Sequence, residues 1–111
     1  MRKRCLILFL IISVSHGAIA KPTWHTGKIT KVYPLANGNF VITFANNSSY
    51  CTNASRPKYH YVVVGQNGVT EKGIEFLYSA ALAAAATGKK VSINFDTSDK
   101  NCYVNRLQVT F

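Results

Sequence analysis

The groups that could do acid–base or nucleophilic chemistry are few, and they are scattered along the chain. Outside the first 20 residues they are two histidines and four carboxylates: His25, His60, Glu71, Glu75, Asp96 and Asp99. Catalysis requires such groups to converge on one point. Carboxylates one turn apart at a helix start, such as Glu71 and Glu75, ordinarily serve solvation and the helix dipole. Without a phosphate loop or metal-ligand spacing, the sequence predicts a protein that is not an enzyme and has no metal or cofactor.

Two cysteines remain once the first 20 residues, which contain Cys5, are set aside. They are Cys51 and Cys102, and in an exported protein such a pair is typical of a disulfide. The alternatives are two free thiols or a metal site with two cysteine ligands. No histidine lies near either cysteine in the sequence to complete such a site.

The residue types that favour ligand binding are aromatic. Tyr59 and Tyr61 fall on one face of a predicted strand, next to Lys58. Aromatic rings with lysine and asparagine neighbours can stack on sugar rings or on nucleobases. Further amphipathic rings are present at Trp24, His25, Tyr33 and Tyr103. The alternative is that these tyrosines are good strand formers, half-buried at a barrel surface.

The N-terminal segment has the pattern of a secretory signal peptide. Basic residues 2–4 precede an apolar run over 5–14, and the small-x-small sequence Ala18-Ile19-Ala20 marks a cleavage site before Lys21. The run is too short for a stable membrane span, although an uncleaved anchor is the alternative. The prediction is a signal peptide over 1–20, a single domain over 21–111, and a periplasmic or secreted location. Cleavage removes three basic residues, which lowers the net charge from +9 to +6 and leaves a bias toward anionic partners.

Apolar alternation and turn signals predict the elements that position these residues. Strands are expected over residues 28–33, 40–44, 58–65, 89–95 and 104–111. A helix is expected over 70–88, capped by Thr70 and ended by Gly88. The order β-β-β-α-β-β is that of a small OB-fold-like barrel, in which the helix lies between the third and fourth strands. The alternative is an open antiparallel sheet with one packed helix.

The predicted helix is apolar on two sides. One stripe faces the strands and contains Ile74, Leu77, Tyr78, Ala81, Leu82 and Ala85. The other side holds Phe76, Ala80 and Ala83, where a solvated helix would carry charges. A helix that is apolar nearly all round is usually buried on both sides. The pattern therefore predicts a contact with another subunit, although alanine is also simply the best helix former.

The signal peptide, the OB-type order, the cysteine pair and the segments Tyr78-Ser79 and Thr87-Gly88-Lys89-Lys90-Val91-Ser92-Ile93 carry a family resemblance. Together they resemble the B subunits of subtilase-cytotoxin-like and pertussis-like toxins. The resemblance implies a ring of five subunits with the helices lining the centre, so that Phe76, Ala80 and Ala83 face the ring interior. It also implies binding of sialylated or related glycans. The cysteine placement differs from that family, and no sugar-contacting residue carries over.

The sequence thus favours an exported, non-enzymatic glycan-binding module with contacts at Lys58, Tyr59 and Tyr61. The expected partners are a glycan, further copies of the chain in a ring, and an unknown partner subunit. One alternative is an OB-fold protein that binds single-stranded nucleic acid, which basic charge permits and export disfavours. The other is a structural or inhibitory protein-interaction module.

Overall fold

The computed structural model describes residues 20–111. The predicted signal peptide therefore lies outside the described residues, apart from Ala20. The elements in chain order are β1 (Pro22–Pro34), β2 (Phe40–Phe44), β3 (His60–Val62), α1 (Glu71–Thr87), β4 (Lys90–Asp96) and β5 (Val104–Val109). The predicted order of three strands, one helix and two strands is confirmed.

The five strands form one antiparallel sheet in the order β3-β2-β1-β4-β5. The long central strand β1 pairs with β4 through residues 22–28 and with β2 through residues 29–34. The register shifts between Ile29 and Lys31, which marks the change from one partner to the other. The sheet order ends at β3 and β5, so the sheet is open, as in the alternative with one packed helix. One backbone hydrogen bond, from the Tyr61 N–H to the Asn101 carbonyl at 3.1 Å, joins β3 to the turn that precedes β5.

Three strands differ in length from their prediction, and the smallest difference is that β5 ends at Val109 instead of residue 111. β1 begins at Pro22 instead of residue 28. The sequence pattern misses its first half, because Thr26 points outward and Gly27 inward there and apolar residues do not alternate. The inward Gly27 packs so closely that a Cβ there would lie 2.1 Å from Asn46 Oδ1. β3 is shorter than predicted, because the chain turns after Val62 through a loop in which Gly65 has a positive φ.

The helix has the predicted ends. The Thr70 hydroxyl accepts a hydrogen bond from the Gly73 N–H at 2.9 Å, which satisfies one free donor of the first turn. Gly88 adopts the left-handed conformation, with φ at 66°, and the Lys89 N–H returns to the Ala84 carbonyl. The helix packs mainly against β1 and β5.

The core lies between the helix and the concave side of the sheet. Its buried apolar side chains are Phe40, Ile42, Phe44, Val62, Val69, Ile74, Ala81, Ala84, Val91, Ile93, Phe95 and Val104. Leu77 and Tyr78 are partly buried against them, as the helical stripe predicts. Leu82 and Ala85, by contrast, are exposed, and Ala84 takes the inward position instead. The buried stripe of the helix is thus rotated from the predicted one. The sequence does not show this rotation, because consecutive alanines have equal size and do not indicate which face packs.

Candidate functional site

The predicted disulfide between Cys51 and Cys102 is confirmed. It ties the loop after β2 to the turn before β5, with the two Cα atoms 5.7 Å apart. Asn53 reinforces this tie, because its side-chain amide donates to the Tyr59 carbonyl at 2.7 Å and to the Lys100 carbonyl at 3.0 Å. The loop that leads into β3 is therefore fixed to the turn before β5, across the gap between the two edge strands of the sheet.

The His60 side chain lies beside this disulfide. One ligand atom each of Cys51, His60 and Cys102 falls within 4.8 Å of the others, so a histidine lies beside the cysteines in space although none is close to them in the sequence. The sequence does not show this contact, because the three residues come together only when the sheet folds. Both sulfurs are bonded to each other, which leaves no thiolate to act as a metal ligand.

His60 is a packing residue whose imidazole is only 1% exposed. Its ring contacts those of Phe95 and Phe44 edge-on, with centroids 4.8 and 5.4 Å away. Its Nδ1 is buried without a hydrogen-bond partner among the described residues. Burial, together with the charge of His25, lowers the pKa of His60 to about 3. The ring is therefore neutral at physiological pH.

The structure brings the two predicted ligand-contacting tyrosines together and adds a third. The ring centroids of Tyr59 and Tyr61 lie 6.1 Å apart, and those of Tyr33 and Tyr59 lie 6.5 Å apart, both edge to face. Strand register explains the grouping, because Tyr33 pairs with Val41 and Val41 pairs with Tyr61. We call Tyr33, Tyr59 and Tyr61 the tyrosine row. It lies on the outward side of β1, β2 and β3, and Tyr33 is 45% exposed.

The lysine whose ammonium lies at the tyrosine row is Lys31, whereas the ammonium of the predicted Lys58 binds elsewhere. The Lys31 ammonium lies 5.9 Å from the centroid of Tyr59, within the range of a cation–π contact. The Lys58 ammonium instead donates to the Asn53 carbonyl. The Lys58 backbone N–H donates to Asn47 Oδ1 at 2.9 Å. Lys58 thus holds the loop beneath the row, whereas Lys31 supplies a cation at the rings.

The predicted oligomer surface lies on the outer side of α1. Phe76 is 68% exposed, Ala83 is exposed and Ala80 is half-buried. Phe76 and Ala80 border a shallow groove whose other lining includes Gly68, Leu77 and Leu107. A single exposed phenylalanine is common on protein surfaces, so a subunit contact at this side of α1 stays a prediction.

A second concavity, of about 500 Å³, lies between the start of α1 and the turn from β1 to β2. Glu71 and Glu75, which drew attention as paired carboxylates, both line it together with Tyr78. Neither histidine nor the disulfide is part of this lining. Glu71 and Glu75 therefore lie apart from the two histidines and the disulfide.

No protein-family model matches this chain, and no curated protein does. Among residues 20–111 no helix is long and apolar enough to cross a membrane.

Of the side chains that accompany the tyrosine row, Lys31 is the one that sequence reasoning missed. It is distant from residues 58–61 in the chain, and only strand pairing shows that it is their neighbour.

Proposed function

We propose that this protein is an exported, non-enzymatic glycan-binding module, and that the tyrosine row with Lys31 contacts the sugar. The observation that carries the proposal is the cation–π contact of Lys31 with Tyr59 inside a row of three edge-to-face rings. Exposed aromatic rings offer apolar faces to sugar C–H groups, and their hydroxyls can donate and accept hydrogen bonds. Lys31 adds a charge that suits an acidic sugar.

Export of the chain is part of this proposal. The sequence pattern of residues 1–20 supports it, and a disulfide such as Cys51–Cys102 is compatible with an oxidising compartment. The net positive charge would favour an acidic glycan, which agrees with a sialylated or related ligand.

We further infer that the sheet approaches an OB-fold-like barrel. Three observations support this finer description. The Tyr61 N–H bonds the Asn101 carbonyl across the opening between β3 and β5, and the Cys51–Cys102 disulfide lies beside that opening. The order β3-β2-β1-β4-β5 is also compatible with a barrel that closes between its outer strands.

The proposed assembly is a ring of identical subunits, as in the toxin B subunits that the sequence resembles, with an unknown partner subunit. Its contact surface would comprise Phe76, Ala80 and Ala83 against the neighbouring copy. Small residues beside Phe76 allow a second chain to approach closely. A ring would repeat the tyrosine row, and multivalency would convert weak binding by single sites into strong binding to a glycan-bearing surface.

A glycan array and a parallel oligonucleotide titration test this function. The expected result is binding to sialylated or other acidic glycans whose affinity falls only modestly with added salt, since salt screens the charge contact of Lys31. Binding only to single-stranded oligonucleotide, with affinity falling steeply as salt rises, would replace the proposal by the nucleic-acid alternative. Binding to neither would favour a structural or inhibitory protein-interaction module.

A further inference from the structure

The outward side of β1, β4 and β5 carries a second set of ligand-like side chains, separate from the tyrosine row. Strand register aligns Trp24, Asn94 and Arg106 in one row across the three strands. The next outward row has polar side chains only: Thr26, Ser92 and Gln108. We call these two rows, together with Lys28 and Lys90, the tryptophan face.

Trp24 is the dominant group of this face. Its side chain is 48% exposed, and the Arg106 guanidinium lies 5.1 Å from its ring centroid. Asn94, which lies between the two in the register, is 4% exposed. Arginine holds the indole from one side, which reduces the freedom that a ligand would have to remove. The indole therefore presents a large, oriented apolar surface to solvent.

The row beside Trp24 has the hydrogen-bonding character of sugar hydroxyls. The hydroxyls of Thr26 and Ser92 lie 2.7 Å apart, and Gln108 is exposed on the neighbouring strand. Hydroxyl and amide side chains can both donate and accept, as sugar hydroxyls do. Trp24 is the only ring in these rows, so the face offers one stacking platform. Nucleobase binding, by contrast, typically uses a series of rings for successive bases.

A like-charge pair follows the polar row. Lys28 and Lys90 are directly opposite each other in the β1–β4 ladder, and both are exposed. Like charges in that position repel, which weakens a sheet unless an anion lies between them. The residues between this pair and Trp24 on β1 and β4 are uncharged. The four-residue step from Trp24 to Lys28 spans about 13 Å along the strand, the length of a short oligosaccharide segment.

From this arrangement we propose that the tryptophan face binds an acidic oligosaccharide that carries sulfate or carboxylate groups. One sugar ring stacks on Trp24, its hydroxyls bond Thr26, Ser92 and Gln108, and an acidic group binds between Lys28 and Lys90. Charge complementarity selects this ligand over a neutral glycan. The site shares no side chain with the tyrosine row, so it does not depend on the function proposed for that row.

Trp24 is the only tryptophan of the chain, so its fluorescence reports on this face directly. The probe is a heparin-derived hexasaccharide, titrated into the disulfide-bonded protein, with neutral maltohexaose for comparison. The expected result is a saturable change in Trp24 emission with the heparin fragment and none with maltohexaose. No emission change with the heparin fragment, or an equal change with maltohexaose, overturns the proposal.

Two variants make the test specific. Lys90→Gln, at an exposed position, is expected to weaken the fluorescence-detected binding by about fivefold because one charge contact is lost. Tyr61→Ala, in the tyrosine row, is expected to leave it unchanged, so failure of one site can be distinguished from failure of the other. An unchanged affinity of Lys90→Gln contradicts the proposal, as does loss of the emission change in Tyr61→Ala with an intact circular dichroism spectrum. Tighter binding of oligothymidylate than of the heparin fragment, measured by the midpoint of the same fluorescence titration, assigns the face to nucleic acid and also overturns the proposal.

Discussion

The rings of His25 and His60 are stacked nearly parallel, with centroids 5.9 Å apart and an interplanar angle of 11°. The His25 ring is held through its Nε2, which lies 2.8 Å from the Asn46 carbonyl oxygen. Burial lowers the pKa of His25, with the Asn46 hydrogen bond opposing that effect. Burial therefore favours the neutral form of both rings, and protonation of either would place a poorly solvated charge within the stack.

This stacking predicts a loss of stability in mild acid. The pKa of His60 is lowered from 6.5 to about 3 in the folded state, so the unfolded chain binds the proton more readily between those values. Stability is therefore complete above pH 6.5 and falls as the pH decreases toward 3, by about 1.4 kcal/mol per pH unit for one proton. Urea unfolding at a series of pH values measures the slope. His60→Phe should reduce it, and an equal slope in that variant would show that other groups are responsible.

The Cys51–Cys102 disulfide closes a long loop, with a sequence separation of 51. In the chain-entropy model, opening a loop of that length destabilises the fold by about 4 kcal/mol. The double variant Cys51→Ala and Cys102→Ala should show this loss in denaturant unfolding. Intact mass with and without reduction, after alkylation, checks the bond itself and whether the exported chain begins at Lys21. Two alkylatable thiols in the unreduced exported protein would exclude the disulfide.

The packing of α1 predicts a graded set of substitutions. Ile74→Ala removes a buried side chain and should cost about 2–5 kcal/mol of unfolding free energy, as large-to-small changes in cores do. Leu77→Ala should cost less, because Leu77 is only partly buried. The matched control is Leu82→Ala, at an exposed position of the same helix, which should change stability by less than about 0.5 kcal/mol. A cost at Leu82 equal to that at Ile74 would place the buried face elsewhere.

These cases show which features the sequence can reveal. Strict alternation identified β2, β4 and β5, and Thr70 and Gly88 marked the ends of α1, because those signals are local. The pairing of Lys31 with Tyr59 and of His60 with the disulfide depends on strand register, which adjacent residues do not encode. The alanine run concealed the rotation of the helix, since side chains of equal size do not distinguish its faces.

The proposed subunit contact predicts the effect of a charge on the outer side of α1. Phe76→Glu should convert an assembled protein into monomers, because it places an unpaired charge in each contact. The fold should be retained, since Phe76 is exposed in the single chain. The control is Tyr50→Glu, which changes an exposed aromatic residue in the loop after β2. Light scattering measures the mass of each variant, and a wild-type protein that is monomeric at micromolar concentrations would eliminate the interface.

The central claim is that the tyrosine row with Lys31 binds a glycan, and calorimetric titration of the acidic glycan selected on the array tests it most directly. Tyr61→Ala and Tyr59→Ala should each weaken binding by about fivefold or more, since an aromatic contact at a binding site typically contributes over 1 kcal/mol. The matched control Tyr50→Ala removes an exposed tyrosine outside the row and should bind like the wild type. Wild-type affinity in both row variants, with their fold intact, would contradict the account.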